Sequence, residues 1–275
     1  MIRSVLTALG LSALAGSAMA CGDAGDPCQI DSGDYLISLP ENTGPDTPVL
    51  LFLHGFGGTA NGTMGNQRLV GPMNERGWAV IAPDGLRRGG DGPKSWNFFP
   101  GWEGRDETAF LRAVADDAAE RFDLSADHVM LSGFSAGGFM VSYLACEAPD
   151  TFAAYAPVAG GFWRPHPEGC AGPVKLLHTH GWSDPTVPLE GRKLRNGVFE
   201  QGDIWAGMEI WRTTNECWDN KPSSYSETGP FWRRQWAGCA EGSALEFALW
   251  QGGHTLPSGW TDMAIDWFEA VTASH

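Results

Sequence analysis

Ser135, Asp184 and His254 are side chains of the types that carry out nucleophilic acyl chemistry, and each stands in a glycine- or proline-marked setting. Ser135 lies in Gly133-Phe134-Ser135-Ala136-Gly137-Gly138, between a short apolar run and a helical stretch. A serine on a sharp strand-to-helix turn is held in a strained conformation with its hydroxyl lifted clear of the sheet. Small residues at 133 and 137 avoid clashes in such a turn. The helix start also lets the Ala136 amide donate to a developing oxyanion. A second donor is expected from His54-Gly55-Phe56-Gly57-Gly58, which follows another apolar run. There the Phe56 N–H is the first choice and the Gly57 N–H the second.

Asp184 sits in the stretch His178-Thr179-His180-Gly181-Trp182-Ser183-Asp184-Pro185, where Pro185 stiffens the loop. A carboxylate there can accept from a histidine ring N–H. His254, in Gly252-Gly253-His254, is the last histidine before the final helical stretch. It is the expected base, taking the proton of Ser135 and returning it to the leaving group. Each residue alone has a plainer reading: a glycine-rich turn, a surface-turn aspartate, a loop histidine. Four signals agreeing in chain order and context favour the catalytic one.

The elements that must hold these residues show in the apolar periodicity. Continuous apolar runs predict buried strands over 49–53, 78–82, 128–132, 153–158, 174–177 and 245–249, with a first strand over 34–39. Three-to-four spacing predicts helices over 106–122, 139–146, 203–214 and 260–271. Alternating strands and helices imply an α/β fold with a mainly parallel central sheet and helices on both faces. The order serine, acid, histidine is that of the α/β-hydrolase fold.

Residues 1–20 read as a signal peptide: Arg3, an apolar stretch over 5–15, and Ala18-Met19-Ala20 at the cleavage site. Residues 21–275 then form one catalytic domain, and the protein is expected in the periplasm or outside the cell. No later run is long enough to span a membrane. The formal net charge of −15 disfavours nucleic acid as a partner. Six cysteines, an even number in an exported chain, argue for disulfides, and the sequential pairing Cys21–Cys28, Cys146–Cys170 and Cys217–Cys239 closes the shortest loops. Cys21 also stands where a lipoprotein carries its lipid. No leucine stands three positions upstream, and lipidation would leave five thiols, so the disulfide is favoured.

The motifs Leu53-His54-Gly55, Gly133 to Gly138, Ala156-Pro157-Val158-Ala159-Gly160, His178 to Pro188 and Gly252-Gly253-His254 resemble the polyhydroxybutyrate depolymerase/feruloyl esterase-like group of secreted α/β hydrolases, over nearly all of 34–270. The resemblance implies hydrolysis of hydroxyalkanoate, feruloyl or acetyl esters with neither metal nor organic cofactor, and it matches Ser135, Asp184 and His254 position by position. Two departures stand out. Ser95 occupies a position where many members have cysteine. The linker and binding domains of polymer-degrading members are missing, which points to soluble esters or oligomers handled by a monomer.

Trp96, with Phe98, Phe99 and Trp102 close by, could line an acyl pocket or cap the core, and Trp182 could touch substrate. His178 and His180 have a metal-like spacing but are expected to pack beneath Asp184. A peptidase with the same triad is the rival enzyme. A binding protein on a retired scaffold is the rival outside catalysis, and it would not react with an organophosphonate at Ser135.

Overall fold

The structure, a computed structural model, describes residues 21–22, 25–87 and 89–273. The expected signal peptide lies outside the described residues.

Fourteen strands and six helices alternate along the described chain. The strands are β1 (Cys28–Ile30), β2 (Gly33–Ser38), β3 (Val49–Leu53), β4 (Ala79–Pro83), β5 (Leu86–Arg87), β6 (Lys94–Ser95), β7 (Val129–Phe134), β8 (Ala154–Val158), β9 (Lys175–Gly181), β10 (Arg192–Leu194), β11 (Phe199–Gln201), β12 (Ser224–Thr228), β13 (Phe231–Trp236) and β14 (Ala244–Trp250). The helices are α1 (Ala60–Met64), α2 (Val70–Glu75), α3 (Glu107–Phe122), α4 (Ala136–Glu147), α5 (Ile204–Thr214) and α6 (Trp260–Thr272). Ten strands form one sheet in the order β1-β2-β4-β3-β7-β8-β9-β14-β13-β12. The six from β4 to β14 run parallel, and antiparallel pairs flank them at both edges.

The central strands are apolar at every position because both faces are covered. In β3, Val49, Leu51 and Leu53 pack under α3, α4 and α5, while Leu50 and Phe52 pack against α2 and α6. Side chains alternate across a strand, so a strand buried on both faces has no polar stripe. Asp106 and Asp203 start α3 and α5 by accepting from the amides of Ala109 and Ala206, satisfying donors the first turn would leave orphaned.

Every strand and helix expected from periodicity is present, with ends within four residues of those expected. The short α1 and α2 and the β12–β13 hairpin were not. All five residues of β12 are exposed, so it has no buried face to pattern its sequence. The three disulfides are Cys21–Cys28, Cys146–Cys170 and Cys217–Cys239, the sequential pairing. No described helix is long and apolar enough to cross a membrane.

Candidate active site

Parallel strands deliver their C-terminal ends, and the loops that follow them, to one edge of the sheet. The register decides which loops meet. Leu53 at the end of β3 pairs with Gly133 in β7, so the His54 loop emerges beside the Ser135 turn. Trp250 at the end of β14 pairs with Gly181 at the end of β9. The chains beyond are stitched by main-chain hydrogen bonds, Trp182 N–H to the Trp250 carbonyl (2.8 Å) and Ser183 N–H to the Gly252 carbonyl (3.0 Å). The Asp184 and His254 loops therefore leave the sheet as a pair.

Ser135 has φ 56° and ψ −114°, a conformation L-residues rarely adopt and one that costs about 1–3 kcal/mol. The surrounding glycines make it possible. A Cβ on Gly133 would stand 2.7 Å from the Gly137 carbonyl carbon, and one on Gly137 would stand 2.2 Å from the Leu53 carbonyl oxygen. The Ser135 amide donates to the Val158 carbonyl at 2.9 Å, tying the turn to the neighbouring strand.

His254 Nε2 lies 2.9 Å from Ser135 Oγ, and its Nδ1 lies 2.7 Å from Asp184 Oδ2. A carboxylate only accepts, so Nδ1 carries the proton and Nε2 is free to take one from the serine hydroxyl. The other Asp184 oxygen accepts from the Thr186 and Val187 amides, both at 2.8 Å. Burial alone would push this carboxyl up. The His254 hydrogen bond and charge and the two amides outweigh it and hold the group below the usual carboxylate range.

Among the described residues neither the Phe56 nor the Ala136 amide is engaged in a hydrogen bond. Gly57 is different: its N–H donates to the Lys94 carbonyl at 2.8 Å, which removes the second-choice donor. A Cβ on Gly55 would touch Ser135 Cβ at 3.4 Å, so this loop passes within van der Waals reach of the serine. His54 fixes the loop from below. Its Nδ1–H donates to the Gly55 carbonyl at 2.7 Å, and its Nε2 accepts from the Gly85 amide at 3.0 Å. Trp96 Nε1–H donates to the His54 carbonyl at 2.8 Å.

That contact corrects one expectation. Trp96 is fully buried and braces the loop from beneath; it does not line the cleft beside Ser135. Trp182 is corrected too. The residue is 57% exposed and is not part of the cleft wall, while its backbone is tied to Trp250 at the end of β14. The cleft encloses about 330 Å³ and is walled by Phe56, Phe98, Trp102, Phe139, Trp163 and Phe199, with Arg192, Arg195 and Gln201 at one side. Phe98 and Trp102 were among the aromatics singled out in the sequence. Trp163 and Phe199 were not, because they come from distant segments and meet only in the fold, at 5.3 Å between ring centres. Trp163 Nε1 is buried without a hydrogen-bond partner among the described residues.

His178 and His180, despite their metal-like spacing, pack beneath Asp184, with His180 Nε2 3.8 Å from Asp184 Oδ2. His180 Nε2–H donates to the Val187 carbonyl (2.8 Å), and its Nδ1 therefore accepts from His178 Nε2 (3.1 Å). No group of His, Cys, Asp or Glu with metal-binding geometry occurs among the described residues. Burial lowers the proton affinity of His54, His178 and His180, with the neighbouring His180 adding to the effect at His178. The sign follows directly. Above pH about 6.5 all three are neutral folded or unfolded, while below it the unfolded chain takes up protons the fold refuses. Stability should therefore fall as pH drops from about 6.5, by at most about 1.4 kcal/mol per pH unit for each imidazole. Glu107 and Glu147, whose carboxyls burial pushes up, act with the opposite sign. Urea unfolding at pH 7.5 and 5.5 should show the midpoint lower at 5.5; an unchanged or higher midpoint would mean that the imidazoles charge within the fold or that the two glutamates outweigh them.

A family model described as alpha/beta hydrolase fold matches residues 48–201, more than half of the chain. The chain belongs to the α/β-hydrolase family. Among curated relatives, this hydrolase is 27% identical to feruloyl esterase C of Emericella nidulans over 82% of its own length and 77% of that protein. It is 29% identical to the bifunctional acetylxylan esterase/xylanase XynS20E of Neocallimastix patriciarum over 55% of its length. The chain spans 21% and 44% of the length of two of the relatives it matches. Of solved structures, an acetyl xylan esterase from Aspergillus awamori superposes with a TM-score of 0.62 at 16% identity, over 86% of this chain and 93% of that one. That likeness carries the fold. The family match and these relatives agree with the resemblance read from the motifs.

Proposed function

We propose that this α/β hydrolase is a serine esterase that cleaves carboxylic esters through an acyl-enzyme. The observation that carries the reading is the continuous relay Asp184–His254–Ser135, at 2.7 and 2.9 Å, opening onto an aromatic cleft. Ser135 Oγ attacks the ester carbonyl as its proton passes to His254 Nε2. The oxyanion forms beside the unengaged amides of Phe56 and Ala136, each worth roughly 10²–10³ in rate. His254 then protonates the leaving alkoxide, the acyl group stays on Ser135, and a water activated by the same imidazole releases the acid.

The two halves of the ester are assigned by where His254 lies. It lines a second groove with Gly55, Thr59, Asn66, Arg68 and Leu256, and of these only the Gly55 loop is shared with the aromatic cleft. The alcohol must leave toward the group that protonates it, so the polar groove takes the alcohol half and the aromatic cleft the acyl half. Feruloyl and acetyl esters of hydroxylated compounds fit this division, and hydroxyalkanoate oligomers fit it with a short acyl chain.

Residues 21–275 act in this reading as one catalytic domain exported behind the 1–20 signal peptide. The three disulfides support export, and the Cys21–Cys28 bond leaves no thiol for a lipid. Initial rates on 4-nitrophenyl esters of increasing acyl length test the activity. Turnover with an optimum at an acyl group that fills the cleft is expected, together with irreversible loss of activity on adding an organophosphonate and a single adduct at Ser135. An inert protein, or an adduct elsewhere, would overturn the assignment.

A further inference from the structure

The basic spot formed by Arg192, Lys193 and Arg195 stands out in a chain with 33 acidic and 18 basic residues. It belongs to the hairpin β10–β11, which lies outside the ten-stranded sheet and forms one wall of the cleft. Arg192 and Arg195 are the charged members of that wall; no carboxylate lines it. Several cations elsewhere pair with acids, Arg76 with Asp266, Lys94 with Asp84, Arg105 with Glu107 and Arg233 with Glu246, while others, such as Arg212 and Arg234, stand over aromatic rings. Among the described residues neither cleft arginine has a carboxylate within ion-pair distance.

The hairpin also presents these two side chains in a defined way. Arg192 Nε–H donates to Oε1 of the buried Gln201 at 3.1 Å, which fixes the guanidinium plane and leaves the two terminal nitrogens for another acceptor. Arg195 lies in the turn with φ 47°, followed by Asn196 at 56° and Gly197 at 90°, three left-handed residues in succession. Two side-chain-bearing residues held in that region are a cost the hairpin carries while presenting Arg195 to the cleft. The Arg195 guanidinium stands 5.9 Å from the centre of the Phe199 ring, so charge and aromatic wall are contiguous.

We propose that the cleft selects esters whose acyl half ends in a carboxylate, with Arg192 and Arg195 receiving that carboxylate beyond the aromatic wall. The inference rests on the esterase reading and on the assignment of the acyl half to this cleft. A guanidinium offers paired donors that match a carboxylate, whereas a neutral chain of equal length would leave both arginines merely hydrated. Both arginines are exposed at the rim, so solvent weakens the attraction and the preference is moderate rather than absolute.

The test compares the 4-nitrophenyl esters of hexanoic, octanoic and decanoic acids with the singly charged mono-4-nitrophenyl esters of the dicarboxylic acids of the same lengths. The quantity read is the ratio of kcat/KM for the charged ester to that for its neutral partner, in the unmodified protein, in R192Q/R195Q and in K193Q. At one or more lengths the ratio in R192Q/R195Q should fall by about tenfold to a hundredfold. Lys193 is not part of the cleft wall, so K193Q should keep the ratio to within about twofold. The fall should shrink when salt is raised. Equal ratios in the unmodified protein and R192Q/R195Q overturn the proposal while hydrolysis of the neutral esters leaves the esterase reading standing. An equal fall in K193Q overturns it in favour of a diffuse field. Failure of the unmodified protein to cleave any of the six esters removes the esterase reading and this inference with it.

Discussion

Replacing Ser135 with alanine should reduce kcat/KM on any cleaved ester by about 10⁴- to 10⁶-fold while leaving the protein folded. The attack needs an oxygen at a point 2.9 Å from His254 Nε2, and no other described hydroxyl is recorded against that nitrogen. Water could replace the nucleophile only without the positioning that the turn supplies, so residual activity should reflect the two amides and substrate binding alone. His254→Ala should cost nearly as much, and the double variant little more, because the two residues act as one unit. The turn stays strained in Ser135→Ala, since alanine has the same Cβ. Ser135→Gly should instead gain up to about 1–3 kcal/mol of stability, through relief at φ 56°, at the same loss of activity. Steady-state rates and urea unfolding on the three variants check both halves. An active Ser135→Ala would mean that the nucleophile lies elsewhere.

Gly137→Ala should be the most damaging methyl group that can be added near the site. Its Cβ would lie 2.2 Å from the Leu53 carbonyl oxygen and 2.7 Å from the carbonyl carbon, both main-chain atoms of a central strand. Neither can rotate away, and β3 is paired on both sides. Either α4 lifts from the sheet or β3 bends, and each route breaks packing in a core that tolerates little change in volume. A loss of at least about 4 kcal/mol is expected, a large part of the stability of an ordinary domain. Gly62→Ala in α1 is the control. A Cβ there meets only Thr59 Oγ1 at 3.5 Å, an ordinary contact, and alanine should add about 0.5–1 kcal/mol. Thermal unfolding of the two variants should move in opposite directions; equal shifts would mean that the close approach of α4 to β3 is not rigid.

The central strands could be read from the sequence because burial on both faces makes them apolar at every position, and the three side chains of the proposed relay because each follows such a strand in a glycine- or proline-marked turn. What could not be read depends on contacts between distant segments. Trp96 and Trp102 are both aromatic loop residues six positions apart, yet one packs beneath the His54 loop and the other lines the cleft. Nothing local separates them. Trp163 joins the wall through an isolated bridge to Gln201, a contact across 38 positions that no periodicity encodes. The engagement of the Gly57 amide by the Lys94 carbonyl, which approaches from β6, was likewise beyond local reading.

The pairing of the Asp184 and His254 loops by peptide hydrogen bonds has a consequence for how such a protein can change over time. Peptide groups are common to all residues, so side chains at 182 and 183 can be exchanged while the relay keeps its spacing; Gly252 is held, because a Cβ there would stand 1.9 Å from the Trp250 ring. The hairpin β10–β11 is anchored differently, as an excursion between β9 and α5 that shares no ladder with the main sheet. Under the proposed function, the relay and one side of the cleft thus reside in separately heritable parts. A lineage could alter that side by rewriting residues 192–201 while the strands that carry the relay stay in place, provided the bridge from Gln201 to Trp163 is kept.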